Sequence, residues 1–556
     1  MAGLTHRALH VEEILATIVR HLTPYVWDRR EVLSVPDGLD VGPVKDLSLL
    51  GVDDLPSLDN QRALVQCARV SRAFSLHALK VLWRTLPDLR PLQRLLDSMG
   101  FSYADLNEGT PVHTLPIGFE PSSQVREWRR YRWYASCVTG VRSVINCNAL
   151  EEWSDRGGPP VLPRLQSARF QLDPRSINRS LRLLNSCMRD LTLDFDSANS
   201  SAGGTSRWNS ADVLDAVARS APGMEVLNVT FRAPPQDVSP VIPHLVHLRV
   251  LVVTGWMTPS LHATIENLKH LEHLYVKLYW TRHAEASSLR NLQRRRCFSV
   301  KTLVALSLTE PFVLSLQVID FPALEHTRLE VWPHSSDATE GLTQIMQTLC
   351  NSAPKLRSLV LTTRSAAAYG DRPPSRLLTV IEPLLQHRVL ETLSLTLQEN
   401  YAFALTREDI LSFASAWPNI VTLNVAHAPT PSRDALPPVM SFLELVRACP
   451  RLETLVLCAR FDCSARRTWR DTTIAPHPLR GLFLGLDPET GSYRPDKTWH
   501  ALAAILDRCF PSLDAELDLV LAEVVGTKTV ETWNSVLQHL QEIRAGERRS
   551  MSPLGP

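Results

Sequence analysis

One short apolar pattern recurs from residue 165 to beyond residue 480, and it constrains the fold more than any other feature. Each copy has an apolar residue, a second one three positions later, and a third two positions after that. A spacing of two matches side chains on one face of a β-strand, and the first residue anchors the chain entering it. The twelve copies are LQSARF at 165, MRDLTL at 188, MEVLNV at 224, LRVLVV at 248, LEHLYV at 271, LVALSL at 303, LEHTRL at 324, LRSLVL at 356, LETLSL at 390, IVTLNV at 420, LETLVL at 452 and LRGLFL at 479.

Two further signals accompany the pattern. A proline stands two residues before six copies, where it can end a helix and open an extended segment: Pro163, Pro222, Pro322, Pro354, Pro418 and Pro450. Helical patterns precede several of these prolines, as in ADVLDAVARSAP, GLTQIMQTLCNSAP and FLELVRACP. Only Ala168 and Thr327 are weak among the apolar positions.

Helix, turn and strand therefore alternate at a mean interval of about 29 residues, which resembles leucine-rich repeats. We predict an α/β solenoid, or horseshoe, over residues 141–540, with a concave parallel sheet and outer helices. VRSVIN at 141 and LDAELDL at 513 are the atypical copies that the two ends need.

The amino-terminal part has a different pattern. Residues 9–22 and 61–86 have apolar residues at helical spacing, which predicts a small all-α module over residues 1–90. Turn formers between them predict an irregular insertion at 23–60. Residues 91–140 are predicted to be a connector and amino-terminal cap, and residues 541–556 a disordered tail.

Within the connector, residues 122–144 interleave arginines with aromatic residues. Such a segment could stack on and grip single-stranded nucleic acid. The interpretation we favour is a helix whose aromatic side covers the end of the repeats while its arginines stay in water.

Composition excludes several classes of function. The 59 basic and 58 acidic residues give a formal charge of +1, with no global attraction to nucleic acid or anionic membrane. The ten cysteines form no CxxC pair, which is typical of reduced thiols in an intracellular protein. We expect no signal peptide and no membrane span, and therefore a location in the cytoplasm or nucleus.

The helical module resembles the F-box, and the whole chain resembles fungal, basidiomycete-type F-box proteins with carboxy-terminal leucine-rich repeats. Residues that match the F-box pattern are Leu9, Glu12 or Glu13, Ile14, Leu15 and Ile18, then Cys67, Val70, Arg72 and Phe74, then Ala78, Leu82, Trp83, Arg84 and Leu86. The segment EWRRYRWYASCVTGVRSV is also similar to the connector of that family. Two departures are His10, where the family usually has proline, and the insertion at 23–60.

The resemblance implies a substrate receptor of an SCF-type ubiquitin ligase. The F-box would bind the Skp adaptor and through it a cullin, and the repeats would hold the protein to be ubiquitylated. The residues expected to contact the adaptor are Leu9, Ile14, Leu15, Ile18, Leu64, Val70 and Trp83. The alternative is that the helices only cap a leucine-rich-repeat scaffold that has no association with a ligase.

The concave face is the expected site for a protein substrate, because residues between the core positions of each strand point out of the core. Candidates are Asn228, Tyr275, Lys277, Arg328, Glu330, Ser394 and Asn424. Trp256, Trp280 and Trp332 follow strands and are either anchors for a partner or covers for the core.

No motif for catalysis, phosphate binding or metal binding is present, so we expect neither an enzyme nor a cofactor. His262, Glu266, His270 and His273 form a local cluster, but the repeat spacing accounts for it. Cys458 and Cys463 lack companion ligands and are expected to be buried thiols.

Overall fold

The computed structural model describes most of the chain from residue 58 onward. The described residues are 58–70, 72–98, 124–145, 162–172, 181, 183–195, 210–231, 242–255, 264–278, 295–308, 319–332, 338–363, 375–428, 436–460, 477–486, 495–514 and 527–551. The predicted helix at 9–22 and almost all of the insertion at 23–60 lie outside them. The chain divides into two compact units, one ending at Leu271 and one beginning at Glu272.

The first unit begins with helices and continues as a parallel sheet. Its elements are α1 (Leu58–Val70), α2 (Arg72–Leu82), β1 (Thr85–Leu86), α3 (Arg90–Asp97), α4 (Gln124–Cys137), β2 (Gly140–Ile145), β3 (Ser167–Leu172), β4 (Asp190–Phe195), α5 (Ser210–Ser220), β5 (Val226–Phe231), a 3₁₀ turn (Ile242–His244) and β6 (Val250–Gly255). Strands β1 to β6 pair in chain order, and each pair is parallel. The amphipathic stretch at 61–86 is thus two helices and a short strand.

The second unit repeats the same order of strand and helix. Its elements are β7 (His273–Leu278), β8 (Arg295–Arg296), β9 (Thr302–Leu308), β10 (Ile319–Asp320), β11 (His326–Trp332), α6 (Ala338–Ser352), β12 (Ser358–Thr363), β13 (Ser375–Arg376), α7 (Leu377–Ile381), a 3₁₀ turn (Glu382–Gln386), β14 (Thr392–Ala404), α8 (Arg407–Ala416), β15 (Thr422–Ala428), α9 (Met440–Ala448), β16 (Thr454–Ala459), β17 (Gly481–Leu486), α10 (Pro495–Cys509) and α11 (Thr527–Met551). Its sheet runs β7, β9, β11, β12, β14, β15, β16, β17, all parallel. Strands β8 and β10 form a separate pair.

The last two apolar positions of each copy form the core. In the second unit the register aligns Leu274, Leu303, Thr327, Leu359, Leu393, Leu423, Leu455 and Leu482 in one row, and Val276, Ala305, Leu329, Leu361, Leu395, Val425, Leu457 and Leu484 in another. All of these residues are buried. Burial of one such aliphatic side chain contributes roughly 1.5–3 kcal/mol, so the rows hold the sheet to the helices behind it. The predicted α/β class with a parallel sheet is confirmed.

A tight turn precedes the strands, and it explains the positions of the prolines. The backbone N–H of Leu356 donates to the carbonyl of Ala353 at 3.2 Å, and Pro354 is the second residue of this turn. Proline favours that position because its fixed φ matches the turn. The same bond joins Leu165 to Leu162, Met188 to Asn185, Met224 to Ala221, Leu248 to Leu245, Leu271 to Leu268, Leu324 to Phe321, Leu390 to His387, Ile420 to Trp417, Leu452 to Cys449 and Leu513 to Phe510.

The repeat that begins at Leu479 makes this turn in a different way. The backbone N–H of Leu479 donates to Nδ1 of His477 at 3.2 Å, so a side chain takes the place of the backbone acceptor. The other ring nitrogen, Nε2, lies 3.1 Å from the carbonyl of Cys449 in the preceding repeat. Since Nδ1 accepts, Nε2 carries the proton and the ring is neutral.

A buried carboxylate ties neighbouring helices of the second unit together. Asp409 is fully buried and accepts from the backbone N–H of Thr406 at 2.8 Å, while Thr406 Oγ1 accepts from the Asp409 N–H. This capping box satisfies donors at the start of α8. Arg376 donates to the other carboxylate oxygen of Asp409 at 2.6 and 3.0 Å.

One expectation about the carboxy terminus is wrong. Residues 541–551, predicted to be disordered, are helical as the end of α11. The helix is held because Leu540 is fully buried and Arg544 bonds to Asp507 on α10 at 2.6 Å. Because this segment is mostly polar, its sequence predicted neither the burial of Leu540 nor the bond between Arg544 and Asp507.

Candidate functional site

The second unit presents a mixed polar and aliphatic face opposite its core. On β7 to β15 the side chains between the core positions alternate onto this face and are half-buried. The register places Tyr275, Val304, Arg328, Val360, Ser394 and Asn424 in one row, and Lys277, Leu306, Glu330, Thr362 and Thr396 in the next. Six of the seven predicted substrate-binding residues therefore share this face. The first row crosses six strands, or about 24 Å.

Two of these residues form a polar pair. The Asn424 Nδ2 donates to Ser394 Oγ at 3.0 Å, which joins side chains of the neighbouring strands β14 and β15. Among the described residues, the buried Asn424 Oδ1 has no hydrogen-bond partner. An amide and a hydroxyl side by side can each donate and accept, which is the chemistry needed to bind a peptide backbone.

Tyr275 stands at the other end of the first row. Burial raises the pKa of Tyr275 to about 12, so its phenol is neutral at physiological pH. It offers a hydrogen-bond donor beside a broad apolar ring, a combination enriched in protein interfaces.

Asn228, the seventh predicted residue, lies on β5 of the first unit. The register puts it in a row with Arg169, Thr192 and Val252. Arg169 lies 3.9 Å from Asp194, whose carboxylate is buried. This face is more polar and carries its own ion pair.

The open face of the second unit ends near β15. At the last strands, the residues that alternate with the core positions are Ala426, Val456, Cys458 and Phe483, and all four are buried. The ring of Trp533 on α11 lies 6.0 Å from the ring of Phe483. The contact of Trp533 with Phe483 was not predicted from the sequence. The only signal for it was a large apolar residue near the end of the predicted repeat region.

The predicted adaptor-binding residues lie in different environments. Leu64 is fully buried and packs with Ala78 between α1 and α2, whereas Val70 is 70% exposed. Trp83 is half-buried, and its ring centroid lies 4.4 Å from that of Tyr134 on α4. Leu9, Ile14, Leu15 and Ile18 lie outside the described residues. Contact with the adaptor stays a prediction for all seven.

The helical hairpin of α1 and α2 is continuous with the sheet. The carbonyl of Arg84 accepts from the N–H groups of Thr139 and Gly140 at 2.7 and 3.0 Å. In the same way, the carbonyl of Gln166 accepts from the backbone N–H groups of Arg189 and Asp190 in the following repeat. Helix α2 and strand β1 thus occupy the place of a first repeat.

Helix α4 exposes three arginines, one of which, Arg130, lies 5.8 Å from the centroid of the Tyr134 ring. Arg129, Arg130 and Arg132 are exposed, whereas Tyr131 is only 3% exposed. Trp133 packs on Tyr134 with ring centroids 5.0 Å apart. This arrangement supports the interpretation of α4 as a cover for the end of the repeats.

The thiols and histidines of the described residues do not assemble into a metal site. No group of three or more His, Cys, Asp or Glu among these residues could hold a metal ion. Cys458 is buried, its Sγ donates to the carbonyl of His427 at 3.3 Å, and burial raises the pKa of Cys458 to about 11. His262, Cys463, Trp256 and Trp280 fall outside the described residues, and Trp332 ends β11.

In the same described part, no helix is long and apolar enough to span a bilayer.

In each unit the repeated strands form a parallel sheet of the α/β class, with an arrangement similar to that of leucine-rich repeats. No protein-family model and no curated protein matches the chain. A solved structure of a protein from Bacteroides fragilis is 13% identical over 56% of this chain and 72% of its own, with a TM-score of 0.24. The leucine-rich repeat-containing protein LegL7 from Legionella pneumophila is 11% identical over 67% of this chain and 98% of its own, with a TM-score of 0.27. These scores are too low to carry an argument about function.

Proposed function

We propose that this chain is the non-catalytic substrate receptor of an SCF-type ubiquitin ligase. In this role the α1–α2 hairpin, together with the segment at 9–22, docks on a Skp-type adaptor, and the repeats bind the protein to be ubiquitylated. The observation that carries the proposal is the exposed aliphatic surface of the hairpin. Val65, Val70 and Leu76 are 46%, 70% and 47% exposed there. Three large aliphatic side chains exposed within twelve residues are typical of a docking surface.

The substrate side of the proposal rests on the open face of the second unit. Its two rows combine aliphatic side chains with Tyr275, Lys277 and Arg328 and with the Ser394–Asn424 pair. Such a mixture is typical of the surfaces that hold folded proteins or peptides, where a few large side chains supply most of the affinity.

A second candidate is a leucine-rich-repeat scaffold without ligase association. The contact between Trp83 and Tyr134 favours it, because this contact packs the end of the hairpin against α4, the helix before β2, as a cap would pack. A cap needs no partner, and its exposed aliphatic residues would then have no binding role.

Co-purification with the Skp-type adaptor tests the proposal. We expect Leu76→Asp to weaken binding at least about tenfold, because a carboxylate placed in an apolar contact costs roughly 1.4 kcal/mol or more. Leu411→Asp is the matched control, since Leu411 is 41% exposed on α8 of the second unit and should bind as wild type. Failure of the wild-type chain to bind the adaptor would favour the scaffold.

A further inference from the structure

The described helices at the amino terminus carry a strong local positive charge. Residues 58–98 and 124–145 contain twelve Lys and Arg against four Asp and Glu, in a chain whose total charge is +1. Arg69, Arg72, Lys80, Arg84 and Arg129 are all exposed. Their charge therefore faces water, where it acts on an approaching partner.

The charges are interleaved with the exposed aliphatic residues at helical spacing. Arg62, Val65 and Arg69 lie on one exposed stripe of α1, three and four residues apart. Arg72, Leu76 and Lys80 lie on one exposed stripe of α2, four residues apart. Each stripe thus has an aliphatic centre and a basic residue on either side.

We propose that this surface, named here the basic hairpin, binds an acidic protein surface that has an apolar centre ringed by carboxylates. The proposal rests on the proposed function, because it gives the chemistry of the partner docked there. The aliphatic centre provides affinity, and the arginines and Lys80 accelerate encounter and set the orientation.

Nucleic acid is the other polyanion that such a charge would attract, and the geometry disfavours it. Single-stranded nucleic acid is held by aromatic faces on which bases stack. Tyr131 is 3% exposed, and the rings of Tyr134 and Trp83 pack against each other with centroids 4.4 Å apart. The exposed apolar groups are aliphatic, which suits a protein partner.

The experiment measures association and dissociation rates with the purified Skp-type adaptor of the same organism at about 50 mM and about 500 mM salt. The variant Arg69→Gln/Arg72→Gln/Lys80→Gln removes three charges and keeps good helix formers. We expect its association rate at low salt to fall about tenfold, with a dissociation rate close to wild type. The triple variant Lys355→Gln/Arg388→Gln/Arg451→Gln removes three exposed charges from the second unit and should associate as wild type.

The outcomes separate the two proposals. Adaptor binding by wild type with no salt dependence, and an equal association rate for the hairpin variant, would overturn the acidic partner and leave the ligase role intact. No adaptor binding by wild type would overturn both. Tight binding of single-stranded RNA that is lost in the hairpin variant would assign the surface to nucleic acid and overturn the proposal as well.

Discussion

A single histidine shows how one residue can replace a repeated backbone bond. In the turn before β17, His477 accepts from the Leu479 N–H and reaches back to the Cys449 carbonyl. The bond accepted by Nδ1 requires the neutral ring, and burial of the ring lowers the pKa of His477 below its usual value. The Phe510 ring packs against it at nearly a right angle, with centroids 6.2 Å apart. The groups that stabilise this turn therefore exclude a proton from Nδ1.

We predict that His477 makes the protein less stable in mild acid. The unfolded chain binds a proton below about pH 6.5, whereas the folded ring resists it, so the free energy of unfolding falls as the pH drops from 6.5 through the lowered pKa. His477→Asn keeps a side-chain acceptor for the N–H two residues on, without titrating. Urea unfolding between pH 7.5 and pH 5 should show a flatter dependence for His477→Asn. An unchanged slope in that variant would contradict this role.

Thr327 is a polar residue in a row of buried leucines. It is 2% exposed, and among the described residues its Oγ1 has no hydrogen-bond partner. A buried hydroxyl without a partner costs roughly 1–3 kcal/mol.

We therefore expect Thr327→Val, which has nearly the same shape, to raise the free energy of unfolding by about 1 kcal/mol. Chemical denaturation followed by circular dichroism measures it, with Thr362→Val on the half-exposed face as the control. Lower stability of Thr327→Val would show that the hydroxyl has a partner.

At the scale of elements, the last helix closes the carboxy-terminal end of the second unit. Arg544 on α11 bonds to Asp507 at 2.6 Å and donates to the carbonyls of Leu513 and Phe510 at 2.7 and 3.3 Å. Phe510 and Leu513 follow the end of α10 at Cys509, so the guanidinium joins the turn after α10 to the Asp507 carboxylate on that helix. Its planar fork is what allows one side chain to reach a carboxylate and several carbonyls.

We predict that Arg544→Ala lowers the free energy of unfolding by roughly 2–4 kcal/mol, since it removes the guanidinium from the half-buried Asp507 carboxylate and from the Leu513 carbonyl. Arg544→Lys should lie between this variant and wild type, because an ammonium group cannot make the forked contacts. Gln538→Ala, on the exposed side of the same helix, is the control. Limited proteolysis would show earlier cleavage within 515–551 in Arg544→Ala. Equal stability of Arg544→Ala and wild type would contradict the capping role.

The elements that could be predicted from sequence are those set by neighbours in the chain. The apolar triplets fixed the strands and their inward faces, even at Ala168 and Thr327, because alternation along a strand is local. Pro354 and its equivalents marked the turns for the same reason. Trp533 on Phe483, Arg544 at the end of α10, and Trp83 on Tyr134 could not be predicted, since each joins segments distant in sequence. An amphipathic pattern predicts that one face of a helix or strand is buried, but it does not identify the element that packs against that face.

At the scale of the whole molecule, the repeated parallel strands form the open face of the second unit and hold the helical hairpin of the first unit. Repeats in which each strand bonds to the next strand give a broad face, which suits binding of macromolecules. The helical hairpin enters the sheet through Arg84 and so is anchored to the first repeats of its unit. The proposed docking surface in the first unit and the proposed recognition surface in the second are thus each joined to a sheet of parallel strands with the same pattern of backbone hydrogen bonds.

The short strand β1 has a consequence for solubility. A parallel sheet leaves unpaired backbone groups at its first strand, and another chain can add to them and extend the stack. Here that strand is only Thr85–Leu86, and Pro87 follows it directly. Proline has no N–H to offer an added strand, and two residues are too few to template one. Within the described residues, this edge of the sheet is therefore a poor template for the addition of another chain.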